Sequence, residues 1–506
     1  MTALAIVLAV LLLLSLAAFV YYCMKGGNLI VGLTIIAFTW FVFGTVWTLS
    51  NLGVAGSIHS FQDVWNPIVS NLNIVFSDGP IGYGTTTAII IFASWFGRVV
   101  VDTGIAKALI RKVVELAGNQ QIITVLLVSL VSALIFTSIF GPGSVMAMGA
   151  IILPILLSIG VKKKIAVGSF LMSVAAGMYV NKGYDSQFSG NAIFAPIWKL
   201  KDFNGNFTAW TWASFGVHVV ILVLFILFNY YISKDKVKSW AMPADDASDF
   251  EVDNSGNNID EEKPVSNWSF IVPFVPVVMS LITSIPNMFL DDAAQLTSFA
   301  AIVGFMVGII FGLALTGNFK SYKKLVAMAQ KTLYNGFTDV ALLIGMLLIM
   351  NCFSTAAGSK ICAPIFQAAL NGGMDWVVKM PWLILVIFIV LAPLALFRGP
   401  FMVWGSGIAV AAVLGPIILG GGTGIPGKEG YVAIPEAFYT VAPLLLVLFY
   451  VQPVGMVADS CPTQSWNMWA LSYAKYEPRQ LIKNNIGWGW VVTAINMAIG
   501  YFLLVA

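Results

Sequence analysis

Apolar residues dominate this 506-residue chain in long runs, which are separated by short polar or charged stretches. An α-helix needs about 20 consecutive apolar residues to cross a hydrocarbon core of roughly 30 Å. The runs predict ten crossings, and polar residues interrupt the fourth and the ninth. They are 3–22, 28–50, 83–101, 165–199, 209–232, 269–289, 293–315, 333–352, 437–472 and 485–505. The pattern therefore predicts an all-α polytopic membrane protein.

Two further apolar segments, 121–160 and 380–418, contain a Gly-Pro turn near their middle. Each segment predicts a helical hairpin, whose arms of about 19 residues would be roughly 28 Å long. That length is close to the thickness of the hydrocarbon core, so re-entrant hairpins and pairs of full crossings both fit. The segment 51–80, between the second and third crossings, is predicted to be an external loop.

The hairpin and the broken helix after it occur twice. In the first copy a Gly-Pro turn at 141–142 precedes Asp185, and in the second a Gly-Pro turn at 399–400 precedes Asp459. A polar insertion at 420–436 accounts for the longer spacing of the second copy. Interrupted helices at corresponding positions of two repeats are typical of secondary transporters.

Composition agrees with this interpretation. Hydrophobic residues make up 59% of the chain, charged residues 10%, and the mean hydropathy is +0.89. About a quarter of a soluble domain's residues are charged, so that class is excluded. The four cysteines lack the spacing of a metal site, which favours small core residues over disulfides. Segment 4–22 has the length of a signal peptide, but the missing basic start and the following Lys25 favour a first membrane helix.

The basic residues predict the orientation of the helices. Most of the 26 lysines and arginines flank the apolar runs on one side, which marks the cytoplasmic face. Both ends of hairpin 121–160 are then cytoplasmic, and both ends of hairpin 380–418 are external. The halves 1–232 and 269–506 are therefore predicted to be inverted repeats in the inner (plasma) membrane. The segment 233–268, Lys-rich and then acidic, is predicted to be a cytoplasmic linker.

The two breaks carry the candidate chemistry. Backbone groups freed by a broken helix persist in hydrocarbon only where they line a cavity or bind something. An intramembrane carboxylate indicates function, although Asp185 and Asp459 could also be N-caps of the second half-helices. Oxygen-rich side chains suit Na⁺ or a hydrogen-bonded carboxylate. We predict a coupling-ion site made of Asp185, Asp459, Ser189, Ser465 and Asn467. We predict a substrate site made of Arg398, Gly141, Ser144, Gly399, Asn181, Ser186, Ser460, Thr463 and Gln464.

Four ionisable residues have alternative interpretations. Arg398, at the second hairpin tip, is either a buried bidentate clamp for a carboxylate or an internal partner of Asp459 or Asp185. Lys182 lies beside the first break and either pairs with Asp185 or binds substrate. Arg98 is predicted to pair with Asp102 one helical turn away. His59 is predicted to lie in the external loop and His218 alone on an apolar helix, so no histidine proton relay is expected.

The paired halves, each with a Gly-Pro hairpin tip and a broken helix, resemble the ion transporter superfamily of organic-anion carriers. The stretch from Gly84 through Asp102 and Gly104 to the hairpin resembles the gluconate permease and anaerobic C4-dicarboxylate carrier families, as does Gly336 to Gly358. The resemblance implies a homodimer that moves organic anions by cation symport or exchange. The hairpin tips depart from the Ser-Asn-Thr that sodium-coupled dicarboxylate carriers often have there.

The sequence thus predicts a secondary active transporter of a small organic anion, a carboxylate, coupled to H⁺ or Na⁺. A Na⁺/H⁺ antiporter is the alternative, which Arg398 and Lys182 disfavour because added positive charge opposes cation binding. A channel fits less well than alternating access, since the repeats are inverted and broken. No nucleophile motif or phosphate-binding loop indicates an enzyme. No cofactor is predicted apart from Na⁺ as a coupling ion, and the predicted partners are the substrate, the lipid bilayer and a second copy, not nucleic acid.

Overall fold

A computed structural model describes residues 2–118, 120–232, 266–287, 297, 299–358, 361–370, 378–427 and 431–505. The predicted linker, 233–268, lies outside the described residues except for its last three positions. Lys360 and Lys428, which the charge pattern assigns to the external side, also lie outside them.

The described residues form an all-α polytopic membrane protein, in which a single β-bridge joins Thr423 and Val432. The first group of helices is α1 (Thr2–Met24), α2 (Leu29–Val54), α3 (Phe61–Asn73), α4 (Gly84–Asp102), α5 (Ile105–Ala117), α6 (Gln121–Phe136), α7 (Pro142–Ser158), α8 (Lys163–Met178), α9 (Lys182–Ser189) and α10 (Phe203–Ile232). The second is α11 (Val275–Asn287), α12 (Ala301–Leu315), α13 (Tyr322–Ala357), α14 (Ala363–Leu370), α15 (Pro381–Val390), α16 (Ile408–Ile418), α17 (Pro443–Val451), α18 (Ser465–Tyr473) and α19 (Pro478–Leu504).

Short irregular helices connect several of these. The 3₁₀ segments are Ala195–Lys199, Asn267–Phe274, Asn318–Lys320, Ala392–Arg398 and Glu436–Phe438, and the π-helical segments are Ile74–Asp78, Val403–Gly407 and Gln452–Ala458. A single turn of α-helix, Gly79–Gly82, precedes α4. The π segment Val403–Gly407 follows the second hairpin tip, and the π segment Gln452–Ala458 lies within the second broken helix. The sequence contains glycine and proline at both places.

Among the described residues, six helices are long and apolar enough to cross a membrane: Ala3–Met24, Leu29–Val54, Phe61–Asp102, Phe203–Tyr231, Tyr322–Ala357 and Pro478–Leu504. Two bent pairs meet the same test together. Lys163–Met178 and Lys182–Ser189 bend by 56°, and Pro381–Val390 and Ala392–Arg398 bend by 59°. Other predicted crossings contain shorter apolar helices, such as Ala301–Leu315 and Pro443–Ala458.

The predicted external loop at 51–80 is wrong, because this segment contains α3 and continues through the π segment into α4. Helix α3 begins at a capping box formed by Ser60 and Asp63. Its apolar residues Phe61, Trp65, Ile68 and Leu72 recur at the spacing of one helix face. The segment is amphipathic rather than uniformly apolar, so a search for apolar runs does not find it.

The two broken helices form the centre of the bundle. Every residue of α8 from Ile165 to Gly177 is buried, and so is every residue from Pro443 to Ala458. Hairpin arm α6 packs against α8, and α10 packs against both α8 and α19. Large apolar side chains of the outer helices α1, α2 and α13 are exposed instead, as expected of helices that face lipid. The breaks thus lie where hydrocarbon cannot reach them.

Helices α4 and α13 cross at close range and join the two halves of the chain. The backbone of Trp95 lies directly against Gly336, and the Ser94 hydroxyl donates to the Gly336 carbonyl at 2.8 Å. The Trp95 indole N–H donates to the Thr332 hydroxyl at 3.1 Å. Glycine at 336 is required by this approach, because a side chain there would collide with the backbone of the partner helix.

Candidate functional site

Asn181 builds the first break. Helix α8 ends at Met178, and the side-chain oxygen of Asn181 accepts the Gly183 N–H at 2.9 Å as the N-cap of α9. Its amide nitrogen donates to the carbonyls of Phe136 (2.8 Å) and Ile139 (3.0 Å) at the end of hairpin arm α6. Asn181 therefore ties the break to the tip of the first hairpin, and its three side-chain hydrogen bonds all go to backbone groups.

Asp185 lies one turn into α9 and is only 7% exposed. Its carboxylate is 3.1 Å from the Lys182 ammonium and accepts the Tyr450 hydroxyl at 2.5 Å. The Tyr450 oxygen also lies 2.8 Å from the backbone carbonyl of Tyr179. Since Tyr450 belongs to α17, the first break is joined directly to the second broken helix. The pairing of Lys182 with Asp185, one of the two sequence interpretations, is present.

The remaining polar side chains of the first break bond within the protein. The Ser186 hydroxyl donates to the Gly183 carbonyl at 3.0 Å, and the Ser189 hydroxyl donates to the Ser186 carbonyl at 3.4 Å. Asn191 donates to the Ser354 hydroxyl on α13 at 3.0 Å. Ser186 and Ser189 thus bond to their own helix in this conformation, and their roles toward substrate and ion stay predictions.

At the second break, the fully buried Asp459 lies next to His218 of α10, with 3.3 Å between His218 Nε2 and Asp459 Oδ2. The expectation that His218 stands alone on an apolar helix is wrong. The two residues are far apart in sequence, and their meeting depends on how α10 rotates against the broken helix. The one available signal was the cost of an imidazole in the middle of an apolar crossing.

Several buried polar atoms of this pair and of other residues have no hydrogen-bond partner among the described residues. They include both carboxylate oxygens of Asp459, both ring nitrogens of His218, and the hydroxyls of Ser214, Ser460 and Thr493. Two glycines leave room for them. A Cβ atom at Gly455 would lie 2.6 Å from the Thr493 hydroxyl, and one at Gly489 would lie 3.0 Å from the Ser460 hydroxyl.

The other predicted residues of the second break differ in position. Asn467 is buried, and its amide nitrogen donates to the carbonyls of Ala458 and Cys461, both at 2.9 Å. Thr463 and Ser465 are exposed and Gln464 is half-buried. The Thr463 hydroxyl lies 3.1 Å from the Cys461 sulfur. Asn467 therefore holds the end of the π segment, whereas Thr463 and Ser465 lie outside the enclosed cluster around Asp459.

The first hairpin tip packs against α4 and α13. Gly141 has φ 107°, a conformation that glycine adopts without strain. The buried Ser144 hydroxyl lies against Gly97, 2.6 Å from where a Cβ atom would be. Gly143 lies against the carboxylate of Asp339, so a side chain at this position would collide with it. The tip is thus fitted to the α4–α13 crossing.

The second hairpin tip does not have the expected arrangement. Arg398 has φ 60° and an exposed side chain, so the expectation of a buried guanidinium is wrong. Its preceding residue, Phe397, donates its backbone N–H to the Cys461 sulfur at 3.2 Å, which places the tip against the second break. Gly399 lies against the Leu394 carbonyl, where a side chain would not fit. The chain bends at 397–398, and this turns the Arg398 side chain away from the interior.

A charged cluster lies between α4 and α13, and it contains the predicted pair of Arg98 and Asp102 together with Asp339 of α13. Arg98 binds Asp339 through two hydrogen bonds of 2.6 and 2.7 Å, the bidentate geometry of a strong ion pair. The expected intrahelical partner, Asp102, lies 3.5 Å from Arg98 and accepts from Asn335 at 3.0 Å. Arg98 therefore connects the two halves rather than stabilising only its own helix.

An open cleft reaches the first break. Lys182, whose side chain is 40% exposed, lines it together with Thr137 of the hairpin and Thr208 and Thr211 of α10. Residues 276–280 and 299–305 form the opposite wall. The cleft thus combines an ammonium group with hydroxyls at the N-terminus of α9, where the helix dipole favours an anion.

No family model matches this chain, and no curated protein matches it either. Among solved structures, the chain is similar to the YdaH transporter of Alcanivorax borkumensis, with a TM-score of 0.59 and 13% identity over 93% of this chain and 98% of that one. The YdaH structure is described as having an unusual topology. The chain is also similar to MtrF of Neisseria gonorrhoeae, of a class of antimetabolite efflux pumps, at a TM-score of 0.48 and 12% identity over 92% and 94% of the two chains.

The chain therefore has the fold of a membrane transporter, and these structural neighbours are transporters rather than enzymes. Neither is described as a gluconate or C4-dicarboxylate carrier, so that resemblance stays a prediction.

Proposed function

We propose that this protein is a secondary active transporter that moves a small organic anion, a carboxylate, by alternating access coupled to a cation. The fold shared with a transporter supports membrane transport. The observation that carries the anion is Lys182, whose half-exposed ammonium lines the cleft at the N-terminus of α9. A carboxylate that enters the cleft would be attracted by the positive charge of the ammonium and by the positive end of the α9 dipole.

In this proposal Lys182 takes the substrate-binding role predicted for Arg398, while Arg398 remains a candidate in a conformation where the second hairpin tip turns inward. Asp185 neutralises the positive charge of Lys182 when no anion is bound in the cleft. An arriving carboxylate would compete with Asp185 for the ammonium, so substrate binding would alter the contact between Asp185 and Tyr450. The remaining predicted substrate and ion residues belong to the same two breaks and to the two hairpin tips.

The proposal also includes that the two halves are inverted repeats and that the protein is a homodimer in the inner membrane. Equivalent placing of hairpin 121–160 and hairpin 380–418 before a broken helix supports the repeats. The outward-facing apolar side chains of α1, α2 and α13 support contact with lipid or with a second copy.

Uptake by proteoliposomes tests the function. The purified protein is reconstituted and offered a panel of labelled small organic acids under imposed Na⁺ or H⁺ gradients. Lys182→Met should weaken the apparent affinity for the transported acid about tenfold to a hundredfold, since a hydrogen bond to a charged group contributes about 1.5–3 kcal/mol. Lys199→Met, at an exposed lysine after α9, is the matched control. Equal affinity in both variants would remove Lys182 from the substrate site.

A Na⁺/H⁺ antiporter is the second candidate. Arg398 is exposed, and Lys182 is paired with Asp185, so neither adds unpaired positive charge beside Asp459. This weakens the electrostatic argument against cation binding. A pH-sensitive dye inside the proteoliposomes separates the candidates. Proton efflux driven by Na⁺ with no organic acid present favours the antiporter, whereas proton movement that requires the acid favours the anion carrier.

A further inference from the structure

His218 and Asp459 form an ionisable pair that the anion site does not use. Both residues are fully buried, and 3.3 Å separates His218 Nε2 from Asp459 Oδ2. A buried carboxylate is stable only when it is neutralised by a partner, by a cation or by a proton. Among the described residues, the charged group that forms an ion pair with Asp459 is the imidazole in its protonated form.

Groups facing His218 from the packed elements add no other charge. The chain break after α8 presents Tyr179, whose ring centre is 5.7 Å from that of His218. Helix α19 presents the uncharged residues Asn485, Thr493 and Asn496, all of them buried. Helices α6 and α11, which also pack against α10, contain no ionisable residue. Lys182 and Asp185 pair with one another, and Lys199 is exposed beyond the 3₁₀ turn.

The geometry favours a proton over Na⁺ at this position. Sodium needs several oxygen ligands, and the carbonyls freed by a broken helix usually supply them. Here Asn467 donates to the carbonyls of Ala458 and Cys461, and Asn485 donates to the carbonyl of Asp459 at 2.9 Å. The Nε2 ring nitrogen of His218 lies 3.3 Å from Asp459 Oδ2. One proton on Nε2 would complete a hydrogen-bonded pair without further ligands.

We propose that His218 and Asp459 together bind the coupling proton of this transporter. Proton uptake from water converts a neutral imidazole beside a carboxylate into an imidazolium–carboxylate pair, so the net charge of the pair changes from −1 to zero. The neutral pair no longer repels an organic anion, and binding of the anion and the proton therefore favour one another. The hydroxyls of Ser460, which follows Asp459 in the chain, and of Thr493 on α19 are buried and have no hydrogen-bond partner among the described residues.

This inference rests on the proposed transport function, but its first test needs no substrate. The chain has two histidines, so His59→Gln leaves His218 as the only histidine signal. The variant is labelled with ¹⁵N-histidine, placed in nanodiscs with K⁺ as the only cation, and observed by solid-state NMR from about pH 5 to about pH 9. We expect the imidazolium form at the acidic end and the neutral form at the alkaline end.

The same spectra with Asp459→Asn added identify the partner. Without the carboxylate, a buried imidazolium has no opposite charge, so its fraction at the most acidic pH should fall at least about tenfold. Asp185→Asn, in the first break, is the matched control and should leave the His218 spectrum unchanged. If Asp459→Asn does not fold, the single-histidine protein decides: a His218 that stays neutral throughout overturns the proposal. So does an equal imidazolium fraction in the Asp459→Asn protein, or release of the proton on adding Na⁺.

A second test separates this inference from the function itself. With a transported acid in proteoliposomes, His218→Gln should abolish the acceleration of uptake by an inward proton gradient, and exchange of labelled for unlabelled substrate should continue. Full acceleration in His218→Gln overturns the proton site and leaves the transport function intact. If no organic acid is transported, the function fails, while the NMR result still decides whether His218 and Asp459 bind a proton.

Discussion

The two breaks contain similar residue types but use them differently. At the first, Asn181, Asp185, Ser186 and Ser189 all bond to named partners within the protein. At the second, both carboxylate oxygens of Asp459 and the hydroxyl of Ser460 are buried without a hydrogen-bond partner among the described residues. Buried polar atoms are bonded in most proteins, and an unbonded group costs about 1–3 kcal/mol. The first break is therefore a structural joint beside a cleft, whereas the second contains buried polar groups that no described residue satisfies.

This contrast predicts different consequences for matched substitutions. Apart from Lys182, which lines the cleft, changes at the bonded polar residues of the first break should damage folding, whereas changes at the second break should alter transport and leave stability nearly intact. If any one of the expected effects is absent, the contrast between the two breaks becomes weaker.

Asp459→Asn should give the largest effect. The amide keeps the shape of the side chain but removes its charge, so uptake against a gradient should fall about a hundredfold while substrate exchange persists. Uptake and exchange are measured in the same proteoliposomes. Accumulation at the parent level would mean that the Asp459 carboxylate has no part in coupling and that coupling lies elsewhere.

Asn181→Ala should lower the free energy of unfolding by about 3 kcal/mol or more. The substitution leaves the buried carbonyls of Phe136 and Ile139 without donors and removes the cap of α9. Thr493→Val is the matched change at the second break, where it deletes a hydroxyl that has no partner. Its stability should stay within about 1 kcal/mol of the parent. Denaturant unfolding in mild detergent measures both, and equal losses would contradict the contrast.

Tyr450→Phe should have a smaller effect that falls on both breaks. It removes the hydroxyl that contacts Asp185 and the Tyr179 carbonyl, and a hydrogen bond to a charged group contributes about 1.5–3 kcal/mol. We expect a loss of stability in that range together with weaker substrate binding, because Lys182 would then hold Asp185 more tightly. Tyr501→Phe on α19 is the control, measured in the same unfolding and uptake experiments. Wild-type affinity in Tyr450→Phe would mean that the link between the breaks has no role in binding.

Arg398→Lys should have the smallest effect. The side chain is exposed, so loss of the planar guanidinium should change substrate affinity by less than about threefold. Lys182→Met provides the comparison in the same uptake assay. A larger loss in Arg398→Lys than in Lys182→Met would restore Arg398 as the carboxylate clamp and indicate that the second hairpin tip turns inward during transport.

The sequence predicted the all-helical membrane class and the positions of both aspartates, because polar residues inside apolar runs are conspicuous. It predicted the pairing of Arg98 with Asp102, but it did not predict that Arg98 also binds Asp339 or that His218 meets Asp459. Both partners, Asp459 and Asp339, lie on distant helices, and which faces meet is decided only by packing. The exposure of Arg398 depends on a backbone bend at 397–398 that no periodicity encodes. Helix α3 was missed because its apolar residues cover one face only.

Gly143 and Asp339 have a consequence for the history of this fold. The glycine at the first hairpin tip leaves the space that the Asp339 carboxylate occupies while it binds Arg98. A relative that gains a side chain at position 143 must therefore shorten or lose the residue at position 339, and its Arg98 must then change as well. The three positions should covary when diverged sequences are compared. A glycine at position 143 and the ion pair between Arg98 and Asp339 would then be kept or lost together.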